Sequence, residues 1–299
     1  KWRDTYPSRY FSMGMAEQNM LGVAAGMARE GFEPWLHTFA VFLYRRPLDQ
    51  LQMSIAYPAL KVRLVGFLPG IMTPGGVTHQ AIEDLAIMRS IPNMTILEVG
   101  DATEAESMLD VAHAIDGPVY IRQLRGEVSR IFPKDEPMEF NKARVLSQGE
   151  DITLITSGIM TEEALRAIPL IQERGVSVQH LHVSTIKPFD DPQVIKAVTT
   201  AKKGVVTMEN HTVVGGVGSA VAELMAEHGS TAPLRRIGVR DTYAHGASQK
   251  YLMAELGLNA DALVSAVEEL VGKSLEIDPD ALAAARVVDV HSSAKAEAL

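Results

Sequence analysis

Cysteine is absent from all 299 residues, which excludes disulfide frameworks, thiolate metal sites and cysteine nucleophiles together. A cytoplasmic setting fits that absence. Long apolar runs are missing too: residues 62–71 and 205–208 are too short, or too interrupted by Gly and Pro, to cross a bilayer, so no membrane contact is expected. Positive charge is in deficit, with 28 Lys and Arg against 37 Asp and Glu, a formal net charge of -9, and no basic stripe that a nucleic acid would need. The first residue is Lys1 and residues 1–4 lack the apolar stretch of a secretory signal, so the start reads as the edge of a longer sequence.

What is present is 46% hydrophobic side chains, enough for two ordinary cores. Short β-rich runs at 63–67, 94–99 and 119–121 alternate with stretches of helical period, and a second series at 152–157, 176–183 and 204–209 repeats the pattern. That alternation predicts an α/β chain of two domains, each a mostly parallel sheet flanked by helices. The charged, proline-bearing stretch 132–137 is where a linker is expected. The division is therefore 1–136, 137–273 and a tail, 274–299, whose last dozen residues are expected to fray.

Four stretches of the first domain invite a chemical reading. In the first, helical spacing puts Glu17 on one face with Met20, Leu21, Ala24 and Ala28, a carboxyl on an apolar stripe. A Glu in a first turn can simply complement the helix dipole. Alternatively, a carboxyl on an apolar wall favours its protonated form and can share a proton with a buried ring nitrogen. In the second, Phe39 and Phe42 share a helical face and can stack on a flat heterocycle, although core packing also accounts for such pairs. In the third, Gly75 and Gly76 feed a helix that Thr78 can cap, which places His79 at its positive end, where an uncharged imidazole is favoured. A structural hydrogen-bonding histidine is the plainer alternative. Arg122 and Arg125 end a predicted strand, where guanidinium groups either grip a phosphate or pair with local acids.

Taken together, residues 9–18 (RYFSMGMAEQ), 38–50 (TFAVFLYRRPLDQ), 73–85 (TPGGVTHQAIEDL) and 89–94 (RSIPNM) resemble the transketolase family, with its relatives the deoxyxylulose-phosphate synthases and 2-oxoacid dehydrogenase beta subunits. The resemblance covers about residues 5–272, the family's pyrimidine-binding and C-terminal domains, and its specific motifs lie in the first 126 residues. It implies that Glu17 activates thiamine diphosphate, because protonating the aminopyrimidine favours an imino form whose nitrogen can take the proton of the thiazolium carbon. It likewise implies that Phe39 and Phe42 flank the pyrimidine, that His79 faces the reacting carbons of the substrate, and that Arg125, with Arg122, holds the substrate phosphate.

Departures accompany the match. Arg45 stands where a tyrosine often follows in transketolases, Gly75 where many have a hydroxyl-reading aspartate, and Phe67 where many have a histidine. A donor with a branched or modified hydroxyl pattern, such as apulose 4-phosphate, would suit that smaller, less polar pocket. The turn at 215–219 lacks the third spaced glycine of a nucleotide fingerprint and resembles the glycine turn of the family's C-terminal domain, while Glu209, Asn210, His211 and Asp241 are candidates for a subunit contact.

One family element has no counterpart. Diphosphate and a divalent ion are held in this family by a Gly-Asp-Gly motif, and here 100–102 reads Gly-Asp-Ala. No metal ligand is therefore assigned to this chain. The resemblance implies a two-chain transketolase in which an N-terminal partner subunit holds Mg2+, or Ca2+, and the diphosphate, in a heterotetramer of two chains of each kind. Rival readings are a deoxyxylulose-phosphate synthase, a 2-oxoacid dehydrogenase beta-type subunit, and a non-catalytic assembly subunit that has kept only the fold.

Overall fold

The computed structural model describes residues 2–126 and 128–287, so the tail residues expected to fray lie outside the described part. A short helix α1 (Trp2–Thr5) precedes α2 (Glu17–Arg29), which buries Glu17, Leu21 and Ala24 while Met20 and Ala28 pack against the same core. The predicted stripe is the one that faces inward. Strands β1 (Trp35–Phe39), β2 (Arg63–Phe67), β3 (Thr95–Glu98) and β4 (Val119–Gln123) run parallel in the order β1-β2-β4-β3. Helix α3 (Ala40–Tyr44), a π-helical turn (Gln50–Ala56), α4 (Asp84–Ser90) and α5 (Ala102–Ala114) accompany them.

The second sheet joins β5 (Arg144–Ser147), β6 (Ile152–Thr156), β7 (Val178–His182), β9 (Gly204–Thr212) and β10 (Leu234–Val239) in the order β10-β9-β6-β7-β5, parallel except for β5. Its helices are α6 (Met160–Glu173), α7 (Pro192–Thr200), α8 (Val217–Glu227), α9 (Gln249–Glu255) and α10 (Ala260–Val271). In the tail, α11 (Pro279–Ala284) buries Leu282 against this second core. Two α/β domains with mostly parallel, helix-flanked sheets are what the sequence pattern predicts. One strand breaks the symmetry. β8 (Thr185–Lys187) leaves the second half and pairs antiparallel with β3 of the first sheet, and Lys187 Nζ donates to the Arg89 carbonyl at 3.0 Å. Among the described residues no helix is long and apolar enough to cross a membrane.

Polar groups sew the halves together. Asn210 accepts from the Ile71 amide at 3.0 Å and donates to the Pro69 carbonyl at 3.0 Å. His211 Nε2 receives the Leu85 amide at 3.1 Å, and Arg89 donates to the Gly215 carbonyl at 2.7 Å. Gly70, at φ +62°, lies so close to Asn210 that an added Cβ would sit 2.1 Å from its Oδ1, so only glycine fits there. Glu209, Asn210 and His211 thus correct the expectation of a subunit contact: they are buried within one chain, at the seam between its own domains. Asp241 is exposed.

The glycine turn ahead of α8 also finds its partner inside the chain. Glu209 accepts the Val217 and Gly218 amides at 2.6 and 2.9 Å, placing a carboxylate at the helix N-terminus where a phosphate would otherwise be favoured. Burial pushes the Glu209 carboxyl up to about 8 despite those two amides. The stretch expected to be a linker is tethered at its start, because Asp101 caps α5 through the Glu104 amide and accepts the Ile131 and Phe132 amides at 2.9 and 2.8 Å. Phe132 is buried, with its ring 4.9 Å from that of His182.

Candidate active site

Parallel sheets gather ligand-binding groups beyond the carboxyl ends of their strands. Here Phe39 ends β1, Phe67 ends β2 in register with it, and Gln123 ends β4 with Arg125 two residues on. Phe39 and Phe42 stack with centroids 5.9 Å apart and planes at 14°. They do not share one helical face as the spacing suggested. Phe39 is the last residue of β1 and precedes α3, so the pair straddles a strand-to-helix junction.

His79 closes the aromatic group edge-on, its ring 5.9 Å from Phe39 and 5.4 Å from Phe42. It lies in a turn and not at a helix start, since α4 begins only at Asp84. Thr78 accordingly caps nothing; its hydroxyl is 2.8 Å from His79 Nδ1. Gly75 packs against this imidazole, where an added Cβ would meet His79 Cβ and Cγ at 3.1 Å, so the missing side chain makes room for the histidine. Phe67 stacks on His37 with centroids 5.9 Å apart.

The turn carrying His79 is fastened from two sides. Arg45 donates to Glu83 Oε1 at 2.7 Å, to the Val77 carbonyl at 3.0 Å and to the Gln80 carbonyl at 3.3 Å, so this departure from tyrosine holds the backbone of the turn. Gln80 donates to the carbonyls of Thr73 and His245, each at 3.3 Å, which ties the turn to the second domain.

Glu17 opens α2 with a side chain 7% exposed, and its Oε1 accepts from Arg46 Nη1 at 2.7 Å. The Arg46 guanidinium lies over the Phe42 ring, 3.9 Å from its centroid, while that of Arg125 stands 5.5 Å from the centroid of Phe39. Glu17, Phe39, Phe42, His79 and Arg125 therefore form one group of contacts around Arg46 and the stacked rings. No motif marks Arg46 in the sequence, and its place four residues after Phe42 is the one local signal of this contact.

Arg122 departs from expectation. Its side chain is wholly buried, donating to Asp84 Oδ2 at 2.8 Å and to the Asn210 carbonyl at 3.0 Å and pairing with Glu98. No guanidinium edge remains for a substrate phosphate, because at this depth in the sheet the charge requires carboxylate partners. Tyr120 donates its hydroxyl to the same Asp84 at 2.6 Å, and burial followed by the Asp84 charge holds that phenol well above its usual range. The residues resembling a diphosphate motif are equally occupied, with Asp101 committed to backbone amides as described above.

The family description "Transketolase, pyrimidine binding domain" matches residues 1–130, and "Transketolase, C-terminal domain" matches residues 141–263. A 6-deoxy-6-sulfo-D-fructose transketolase subunit of Clostridium sp. (strain MSTE9) is 42% identical over 88% of this chain and 82% of its own length. A 1-deoxy-D-xylulose-5-phosphate synthase of Thioalkalivibrio sulfidiphilus is 33% identical over 88% of this chain but only 40% of its own length. The solved structure of a split gene transketolase, described as an inactive beta4 tetramer, superposes with a TM-score of 0.82 at 36% identity, covering 91% of this chain and 87% of the other.

Proposed function

This chain belongs to the transketolase family, and from that premise we propose that it is the subunit of a split transketolase that supplies the pyrimidine half of a thiamine-diphosphate site. The observation that carries the reading is the buried Glu17 carboxylate, linked through Arg46 to the face of Phe42 beside His79. A flat heterocycle with a ring nitrogen fits such a group, since stacked rings offer it a face and a desolvated carboxyl offers its edge a proton partner. Bound thiamine diphosphate would supply the nucleophilic carbon that carries a two-carbon ketol unit from a ketose phosphate to an aldose phosphate.

The chain's own residues have separate tasks in this reading. Glu17 Oε1 or Oε2 holds a proton against a ring nitrogen. Phe39 and Phe42 orient the ring and exclude water from that contact. His79, fixed by Arg45 and Gln80 through its turn, exchanges a proton with a substrate hydroxyl at a ring nitrogen. Arg125 is half-buried at the strand ends and grips the tetrahedral anion at the far end of the donor.

Mg2+, or Ca2+, and the diphosphate belong to an N-terminal partner subunit in this reading, because the nearest match to a Gly-Asp-Gly motif, at residues 100–102, uses its Asp101 to cap α5 and to hold the Ile131 and Phe132 amides. An assembly of two chains of each kind, in the cytoplasm, belongs to the same reading. Phe67 and Gly75 suit a donor other than an ordinary pentose phosphate, and the sulfo-sugar named for the Clostridium relative supports a modified ketose.

The test is to purify the chain with a diphosphate-binding partner and follow ketol transfer for the wild type and Glu17→Ala. Loss of at least about a hundredfold is expected on removal of the proton partner. Unchanged activity would leave only the assembly role, and pyruvate-dependent product would favour the synthase reading. Tight cofactor binding and turnover by this chain alone with Mg2+ would contradict the division of labour.

A further inference from the structure

Two adjacent arginines end the segment that follows Phe42, and they do unlike things. Arg45 is fixed by Glu83 and by two backbone carbonyls, and it holds the His79 turn. Among the described residues the Arg46 guanidinium has one hydrogen bond, to Glu17, and one stacking contact, to Phe42, with a side chain 44% exposed. Those two contacts are the pair that the proposed function assigns to the aminopyrimidine: a proton partner at its edge and an aromatic face beneath it. A guanidinium is planar, cationic and rich in donors, so it satisfies both where a flat heterocycle also would.

We propose that Arg46 is a placeholder, competing with the cofactor's pyrimidine ring for Glu17 and Phe42 and swinging out when the ring enters. The proposal rests on the pyrimidine reading of the site. The backbone is suited to such a movement. The Arg46 carbonyl accepts from Gln18 Nε2 at 3.2 Å, and the next residue is Pro47, so the main chain stays fixed to α2 while the side-chain torsions supply the motion. A guanidinium already close to half exposed loses little on returning to water, because exposed ion pairs and stacked cations are weak. Glu17 is the opposite case: nearly buried, it needs a partner at all times, and Arg46 provides one that can be exchanged.

Titrating thiamine diphosphate with Mg2+ into the complex of this chain with its diphosphate-binding partner tests the idea, with binding read directly by calorimetry and folding checked by thermal midpoint. Arg46→Ala and Arg46→Gln are expected to lower Kd by roughly threefold or more, with Arg46→Lys between them and the wild type, because a competitor of modest strength has been removed. Equal or weaker binding by the Ala and Gln variants, with Glu17→Ala still strongly impaired, overturns the placeholder while leaving the site reading intact. Wild-type-like binding by Glu17→Ala, or no saturable binding in any protein, overturns both.

Discussion

The imidazole of His79 stands edge-on to the ring of Phe42, with centroids 5.4 Å apart and planes at 71°. An edge-to-face contact sets where the ring nitrogens point, since the positive edge of one ring seeks the negative face of the other. The Thr78 hydroxyl occupies Nδ1 at 2.8 Å, so the proposed proton exchange falls to Nε2.

From this follows a division between chemistry and binding. His79→Ala should lower kcat/KM by about a hundred- to ten-thousandfold, the usual contribution of a positioned proton donor. Cofactor affinity should stay near wild type, because the stacked phenylalanines and Glu17 remain. Steady-state kinetics together with a cofactor titration separate the two; an equal loss in both would show His79 to be a wall of the ring pocket only.

The two strand-end arginines should part company on substitution. Arg125→Ala is expected to raise KM for a phosphorylated donor about ten- to a hundredfold, the worth of a charge-assisted contact, and to leave an unphosphorylated analogue nearly unaffected. Arg122→Met strands Asp84 and Glu98 without their shared cation and should cost about 3 to 5 kcal/mol of stability. Urea denaturation measures the second; a stable variant with a selectively raised KM would return Arg122 to the substrate.

Acid stability provides a third check. Burial alone would raise the Glu104 carboxyl, but the charge and hydrogen bond of His182, with donors from Ser184 and Gly100, outweigh it and hold the group well below the usual carboxylate range. The folded chain therefore binds this proton later than the unfolded one. Its stabilising effect is complete above the ordinary carboxylate range and fades as pH falls below it. Glu104→Gln should be less stable at neutral pH by about 3 to 5 kcal/mol and flatter in its dependence between roughly pH 4.5 and 2. Urea midpoints across that interval read the difference; parallel curves for both proteins would contradict it.

Much of this was legible in sequence. Apolar runs such as 152–156 and 204–209 announce buried parallel strands, and the stripe through Leu21 and Ala24 announces the face of α2. The weaker strands escaped: β1 is short and carries His37, β10 carries two arginines, and β8 has three residues and is defined only by its partner in the other sheet. Among the residues of the proposed site, Glu17 and His79 are the ones that a sequence motif marks. Arg122 misled because a charge at a strand end looks available until the carboxylates that surround it are known, and those come from residues 84 and 98. Arg46 was hidden because its two partners meet only in the folded chain.

β8 makes the seam at the linker a poor place to cut. A fragment stopping at residue 136 would keep every group proposed to touch the cofactor, yet it would lose the three residues that shield the outer side of β3. The hydrogen-bonding edge laid open is the kind that recruits a second copy of itself, so excision would yield precipitate where a minimal catalytic unit was sought. Sequence continuity and physical autonomy do not coincide in this chain.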